Sequence, residues 1–143
     1  MFKKQLINDC RLIFGIKKVI FGSCLDGVEQ GALYIDVSSV RENVQDGYIR
    51  FVVSCKIGTL YTRDGNPNGW LLGCLKQAAK KEDLKKAVSR FMITSREQNT
   101  RFDTYQDFFT QSEIECIYRV SIPYDPAEKT NGFIAKIKEL LKR

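Results

Sequence analysis

Any chemistry in this chain must start from cysteine, carboxylate or lysine, because the sequence contains no histidine. That absence removes Cys-His and Ser-His-Asp catalysis, the imidazole general base and most zinc or iron sites. The five cysteines stand at positions 10, 24, 55, 74 and 116. No two form a Cys-x-x-Cys step, so neither a zinc ribbon nor a disulfide framework is expected. Cys10, Cys55, Cys74 and Cys116 fall in phase with apolar neighbours, where the thiol behaves as a small hydrophobe. Cys24, within Gly22-Ser-Cys-Leu-Asp-Gly27, is the one expected to be accessible. With no histidine to depress its pKa, an unrecognised thiol enzyme is the third and most distant reading.

Two other patterns have a chemical reading. Asp64, Asn66, Asn68 and Gly69 match the opening of a calcium loop, D-x-N-x-N-G, in which oxygen ligands alternate and glycine makes the turn. The twelfth position, which should be a bidentate Glu, is Leu75; without that carboxylate the residues read as ordinary turn formers. Lys76, Lys80, Lys81, Lys85, Lys86 and Arg90 outnumber Glu82 and Asp83 in one short window. No aromatic platform or groove-reading helix accompanies them, so a solvated helix face is favoured over a nucleic-acid surface. The carboxylates are scattered, and none forms a pair that the sequence places together. The chain is therefore read as non-enzymatic, with no catalytic residue, cofactor or metal assigned.

The elements that would position these residues form one domain: 143 residues, 43% hydrophobic and 28% charged, with three prolines, the composition of a globular chain. The net charge of +6 permits at most non-specific contact with DNA. The opening Met-Phe-Lys-Lys-Gln-Leu-Ile-Asn-Asp-Cys is broken by Asp9 and Arg11, so neither a secretory signal nor a membrane span is expected. A reduced compartment such as cytoplasm fits the cysteines best.

The clearest periodicity lies over residues 33–61. Leu33, Ile35 and Val37 alternate with Tyr34, Asp36 and Ser38, and Ile49, Phe51, Val53, Cys55 and Ile57 with Arg50, Ser54 and Lys56. Between them Arg41, Glu42, Asn43 and Asp46-Gly47 read as a polar connection. An echo follows in which Ile114, Cys116, Tyr118, Val120 and Ile122 alternate with Glu113, Glu115, Arg119 and Ser121. A period of two means strands packed on one side and wet on the other, which antiparallel sheets tolerate. Residues 2–14 carry the apolar stripe of a helix stopped by Gly15, and residues 18–21 read as a short strand. A helix is expected from Trp70, a shorter one around Leu84, Ala87 and Val88, and a strand over 91–94. Residues 96–107 read as a mobile connection pinned by aromatics. Pro123-Tyr-Asp-Pro126 stops the sheet, and a final helix is expected over residues 131–141, with a stripe of Phe133, Ile134, Ile137, Leu140 and Leu141. The fold class is α+β: a single domain with a mixed, mostly antiparallel sheet flanked by N-terminal, middle and C-terminal helices.

Taken in order, the chain resembles the small tail-terminator or tail-completion proteins of tailed bacteriophages. The likeness lies in the N-terminal helix running into Gly15-Ile-Lys-Lys-Val-Ile-Phe-Gly22, the long hairpin, the passage Pro67-Asn-Gly-Trp-Leu-Leu-Gly-Cys-Leu-Lys76, and the late strand ending in Pro123-Tyr-Asp-Pro-Ala127. It covers most of residues 1–127 and is one of pattern and order. The helix expected over 131–141 lies beyond where such chains often stop. The resemblance implies a subunit of a homo-oligomeric, hexameric ring that ends tail-tube growth and joins tail to neck. Its implied partners are the tail tube or sheath protein and the neck or connector proteins. Its implied location is the virion, with host cytoplasm during assembly. The alternative is a basic nucleic-acid-binding accessory domain. Arg41, Arg96, Arg101, Phe102 and Tyr105 are residue types favoured at interfaces within the polar connections, and are candidates for the ring contact. Trp70 is either a core anchor or an interface hot spot.

Overall fold

The first helix, α1 (Phe2–Phe14), forms because Phe2, Leu6, Cys10, Ile13 and Phe14 recur at helical spacing and are all buried on one face. Gly15 ends it in the left-handed region (φ 69°, ψ 10°), its N–H bonding the Arg11 carbonyl as a glycine C-terminal stop does. In this computed structural model, residues 1–23, 29–62, 64–103, 105–106 and 108–124 are described. Cys24 and the helix expected over 131–141 lie outside them.

After α1 come β1 (Val19–Phe21), β2 (Leu33–Gln45), β3 (Tyr48–Thr62), α2 (Trp70–Ala79), α3 (Lys85–Ser89), β4 (Phe91–Ile93), β5 (Gln98–Asp103) and β6 (Phe108–Pro123). The six strands make one mixed sheet in the order β1-β2-β3-β6-β4, with β5 also paired to β6. Only the β1–β2 pairing is parallel among these strands. β4 pairs the stretch of β6 from Cys116 to Tyr118, and β5 the stretch from Phe108 to Glu113, so the two share one margin. The fold is α+β.

The alternation read from sequence gives the sheet its two faces. Leu33, Ile35, Phe51, Val53, Cys55, Ile57, Ile114, Cys116, Tyr118 and Val120 join one buried cluster with the stripes of α1, α2 and α3. Each fully buried aliphatic chain contributes about 1.5–3 kcal/mol. The opposite face carries Arg50, Lys56, Glu115 and Arg119, all exposed, with Lys56 and Glu115 at 3.8 Å. Trp70 packs against the core, its ring 6.3 Å from that of Phe14; it is an anchor of the helical layer.

Two sequence expectations are corrected. Residues 41–45 are not a connection: β2 runs on to Gln45 and turns into β3 through Asp46 and Gly47 alone. Both turn residues take positive φ (53° and 79°), the geometry of the tight hairpin turn that Asp-Gly favours. A register shift between Val37 and Ser39 reverses the phase beyond it, so that Val40 and Val44 pair with Val53 and Ile49. That break hid the strand. Residues 96–107, read as a mobile connection, contain β5, whose residues are all exposed. A margin strand wet on both faces has no alternation to read.

Candidate functional site

The densest polar cluster lies under α1. Asp9 is 1% exposed, and its carboxylate is fully engaged. Oδ1 accepts from Gln5 Nε2 at 2.9 Å, Arg90 Nη1 straddles both oxygens at 3.0 Å, and Tyr118 donates its hydroxyl to Oδ2 at 2.8 Å. Three elements are tied at one point: α1 by Asp9, the α3–β4 junction by Arg90, and β6 by Tyr118. Burial, then the bond to Asp9, push the Tyr118 phenol well above its ordinary pKa. Sealed in this way, the cluster is a lock between helices and sheet. It also withdraws Arg90 from the solvated basic face where the sequence reading had put it. Lys76, Lys80, Lys81, Lys85 and Lys86 remain exposed, with Lys85 at 2.8 Å from Glu82.

The thiols are no better placed for catalysis. Cys10, Cys55 and Cys116 are buried and unoxidised, as the phase of their neighbours implied. Cys55 and Cys116 face one another across β3 and β6, Sγ to Sγ 3.5 Å. Desolvation raises the Cys10 thiol, and the hydrogen bond to Cys55, then burial, raises Cys116. Cys74 is half-buried and also raised, by burial and then by Glu97. The raised pKa values of Cys10, Cys74 and Cys116 mean little thiolate at neutral pH, while Cys55, lowered by its hydrogen bond with Cys116, is buried in the core. Among the described residues, no group of three or more Cys, Asp or Glu is placed to hold a metal ion. The residues of the calcium-like stretch make turns, with the Gly65 N–H on the Thr62 carbonyl at 2.9 Å.

Of the concavities among the described residues, two border the helical layer and β5. One, of about 360 Å³, lies between α1 and α2 beside Leu12, Trp70 and Cys74. The other, of about 440 Å³, is lined by Tyr61, Asn66, Asn99, Arg101 and Phe108. In the second, the Arg101 guanidinium sits 3.8 Å over the Phe108 ring and bonds Asp103 at 2.8 Å. Its wall is braced by a chain in which Tyr61 donates to Ser112 and Ser112 to Asn99, joining β3, β6 and β5.

What the described residues leave unused is the margin of the sheet. β1 pairs β2 only from Leu33 to Ile35. From Ser38 to Gln45 the outer margin of β2 is exposed, with Val40 and Val44 presenting apolar side chains that are 40% and 50% exposed. On the other side, β5 has no strand beyond it among the described residues. Of the candidate interface residues, Arg101 and Phe102 lie on β5, flanked by Arg96 and the fully exposed Tyr105. Arg41 lies on β2 at the opposite margin. Trp70 belongs to neither and packs in the helical layer. Sequence reasoning missed Val40, Glu42 and Val44 as margin residues; Asp46-Gly47 between two strand-forming runs was the available signal.

Among the described residues, no helix is long and apolar enough to cross a membrane. No protein-family model matches the sequence, and neither does any curated protein.

Proposed function

We propose that this chain is a structural subunit of a phage virion, a tail-terminator-like protein that closes into a ring, ends tail-tube growth and joins tail to neck. The observation that carries this reading is a sheet that, among the described residues, is left open at two different margins, β2 and β5, with one face bare of helices. A heterologous contact needs two different patches on one subunit, and it gives a ring if its rotation closes. The polar groups of the interior support the same reading, because Asp9, Arg90, Tyr118 and Ser112 are spent on bonds that hold the fold. The structure carries the helix, long hairpin, loop into α2 and late strand ending at Pro123 on which the sequence resemblance rests. The tube or sheath and the neck proteins would be its partners.

The test is to add the purified protein to polymerising tail-tube subunits and measure tube lengths by electron microscopy. Shorter tubes of narrowed length distribution are expected. Lengths unchanged at saturating protein, with the chain absent from tail and neck of assembled particles, would overturn the reading.

A further inference from the structure

The two open margins of the sheet differ in strand sense, and that difference specifies a joint. Gln45 and Tyr48 flank a two-residue turn and form the doubly bonded pair of such a hairpin. Counting back along β2, Asn43 and Arg41 also bond toward β3. Val44, Glu42 and Val40 then turn their N–H and C=O groups to the open margin. An exposed row of unpaired peptide groups is a template for strand addition.

Along the antiparallel series β2, β3, β6, β5, the first and last strands run in opposite senses. A second copy in the same orientation therefore brings its β5 antiparallel to β2, and the alternation continues across the junction. Among registers that keep the two sheet faces continuous, one sets Glu42 opposite Arg101 and Arg41 opposite Phe102. It places acid against base and a guanidinium beside a ring, both favourable cross-strand pairs. The two margins also lie at different levels: Arg41 aligns through Val52 with Arg119, whereas Phe102 aligns with Phe109. Copies joined in this way are staggered along their strands, which then run inclined to the ring axis, as closing a sheet requires.

We infer that the subunits join head to tail by strand addition, with residues 40–44 of β2 on one copy pairing antiparallel with β5 of the next. The inference rests on the ring reading above and names its contact. Among the described residues no strand pairs with either margin, and each offers the strand sense and charge that the other accepts.

The experiment uses full-length protein carrying both Glu42→Cys and Arg101→Cys, assembled on tube ends and treated with a short bis-maleimide. A ladder of linked subunits is expected from the double variant and from a second pair, Arg41→Cys with Phe102→Cys. Parent protein and single variants should give none. Rings visible by electron microscopy but no ladder from either pair would overturn the joint and leave the ring reading standing. Linked dimers from Glu42→Cys alone would mean β2 pairs with β2 across a two-fold axis, which also overturns it. Failure of the parent protein to form rings would overturn both.

Discussion

Replacing Arg90 by methionine strands the Asp9 carboxylate in the interior. Asp9 is 1% exposed and the Arg90 side chain 21%, so water reaches the guanidinium far more readily than the carboxylate. Removing one partner of a buried pair costs about 3–5 kcal/mol, mostly because the other charge is left uncompensated. Partial exposure of Arg90, and the bonds Asp9 keeps from Gln5 and Tyr118, place the expected loss near the lower bound, about 3 kcal/mol. For a domain of this size that corresponds to a fall in Tm of roughly 10 °C. Urea titration should show a lower midpoint with an unchanged m-value. Adding Asp9→Asn to the Arg90→Met background removes the orphan charge while keeping an acceptor for Tyr118, and should recover more than half of the loss. An Arg90→Met variant within about 1 kcal/mol of the parent, or no recovery on adding Asp9→Asn, would refute the account of the lock.

Val53 is fully buried, so Val53→Asp should cost about 4 kcal/mol and leave a marginal domain largely unfolded; a melting temperature within a few degrees of the parent would contradict the packing of β3. Cys10, Cys55 and Cys116 should resist maleimide in the folded protein at neutral pH and react once urea unfolds it, as mass spectrometry of labelled peptides will report; rapid native labelling of any of them would contradict the burial described. Tyr118 is held protonated in the fold, so its contribution is full below the ordinary tyrosine pKa of about 10 and is lost as pH rises above it. Tyr118→Phe should be less stable by about 1–2 kcal/mol at neutral pH yet lose less stability than the parent in the alkaline range; an equal or steeper alkaline loss would contradict the linkage.

The sheet was legible in the sequence where one face is buried. The alternation over Ile49 to Ile57 and over Ile114 to Ile122 placed the right residues inside, because a one-residue slip would have turned every apolar side chain to water. The helical stripe of residues 2–14 and its stop at Gly15 were legible for the same reason. Residues 41–45 and β5 were not, since both are wet on both faces and owe their strand geometry to the partner they pair with. The lock was hidden by distance along the chain. Asp9 read only as a break in an apolar run and Arg90 only as one more charge in a basic window, and no local pattern joins residues 81 positions apart. Of the candidate surface, Arg41, Arg101 and Phe102 were picked by residue type, but the two margins that separate Arg41 from the others belong to topology.

The most direct measurement is electron microscopy of tail tubes assembled with the chain, with averaging over their ends. A closed ring of copies seated at one end of each tube is what this account predicts. Open tube ends, or copies scattered along the wall with no ring, would contradict it.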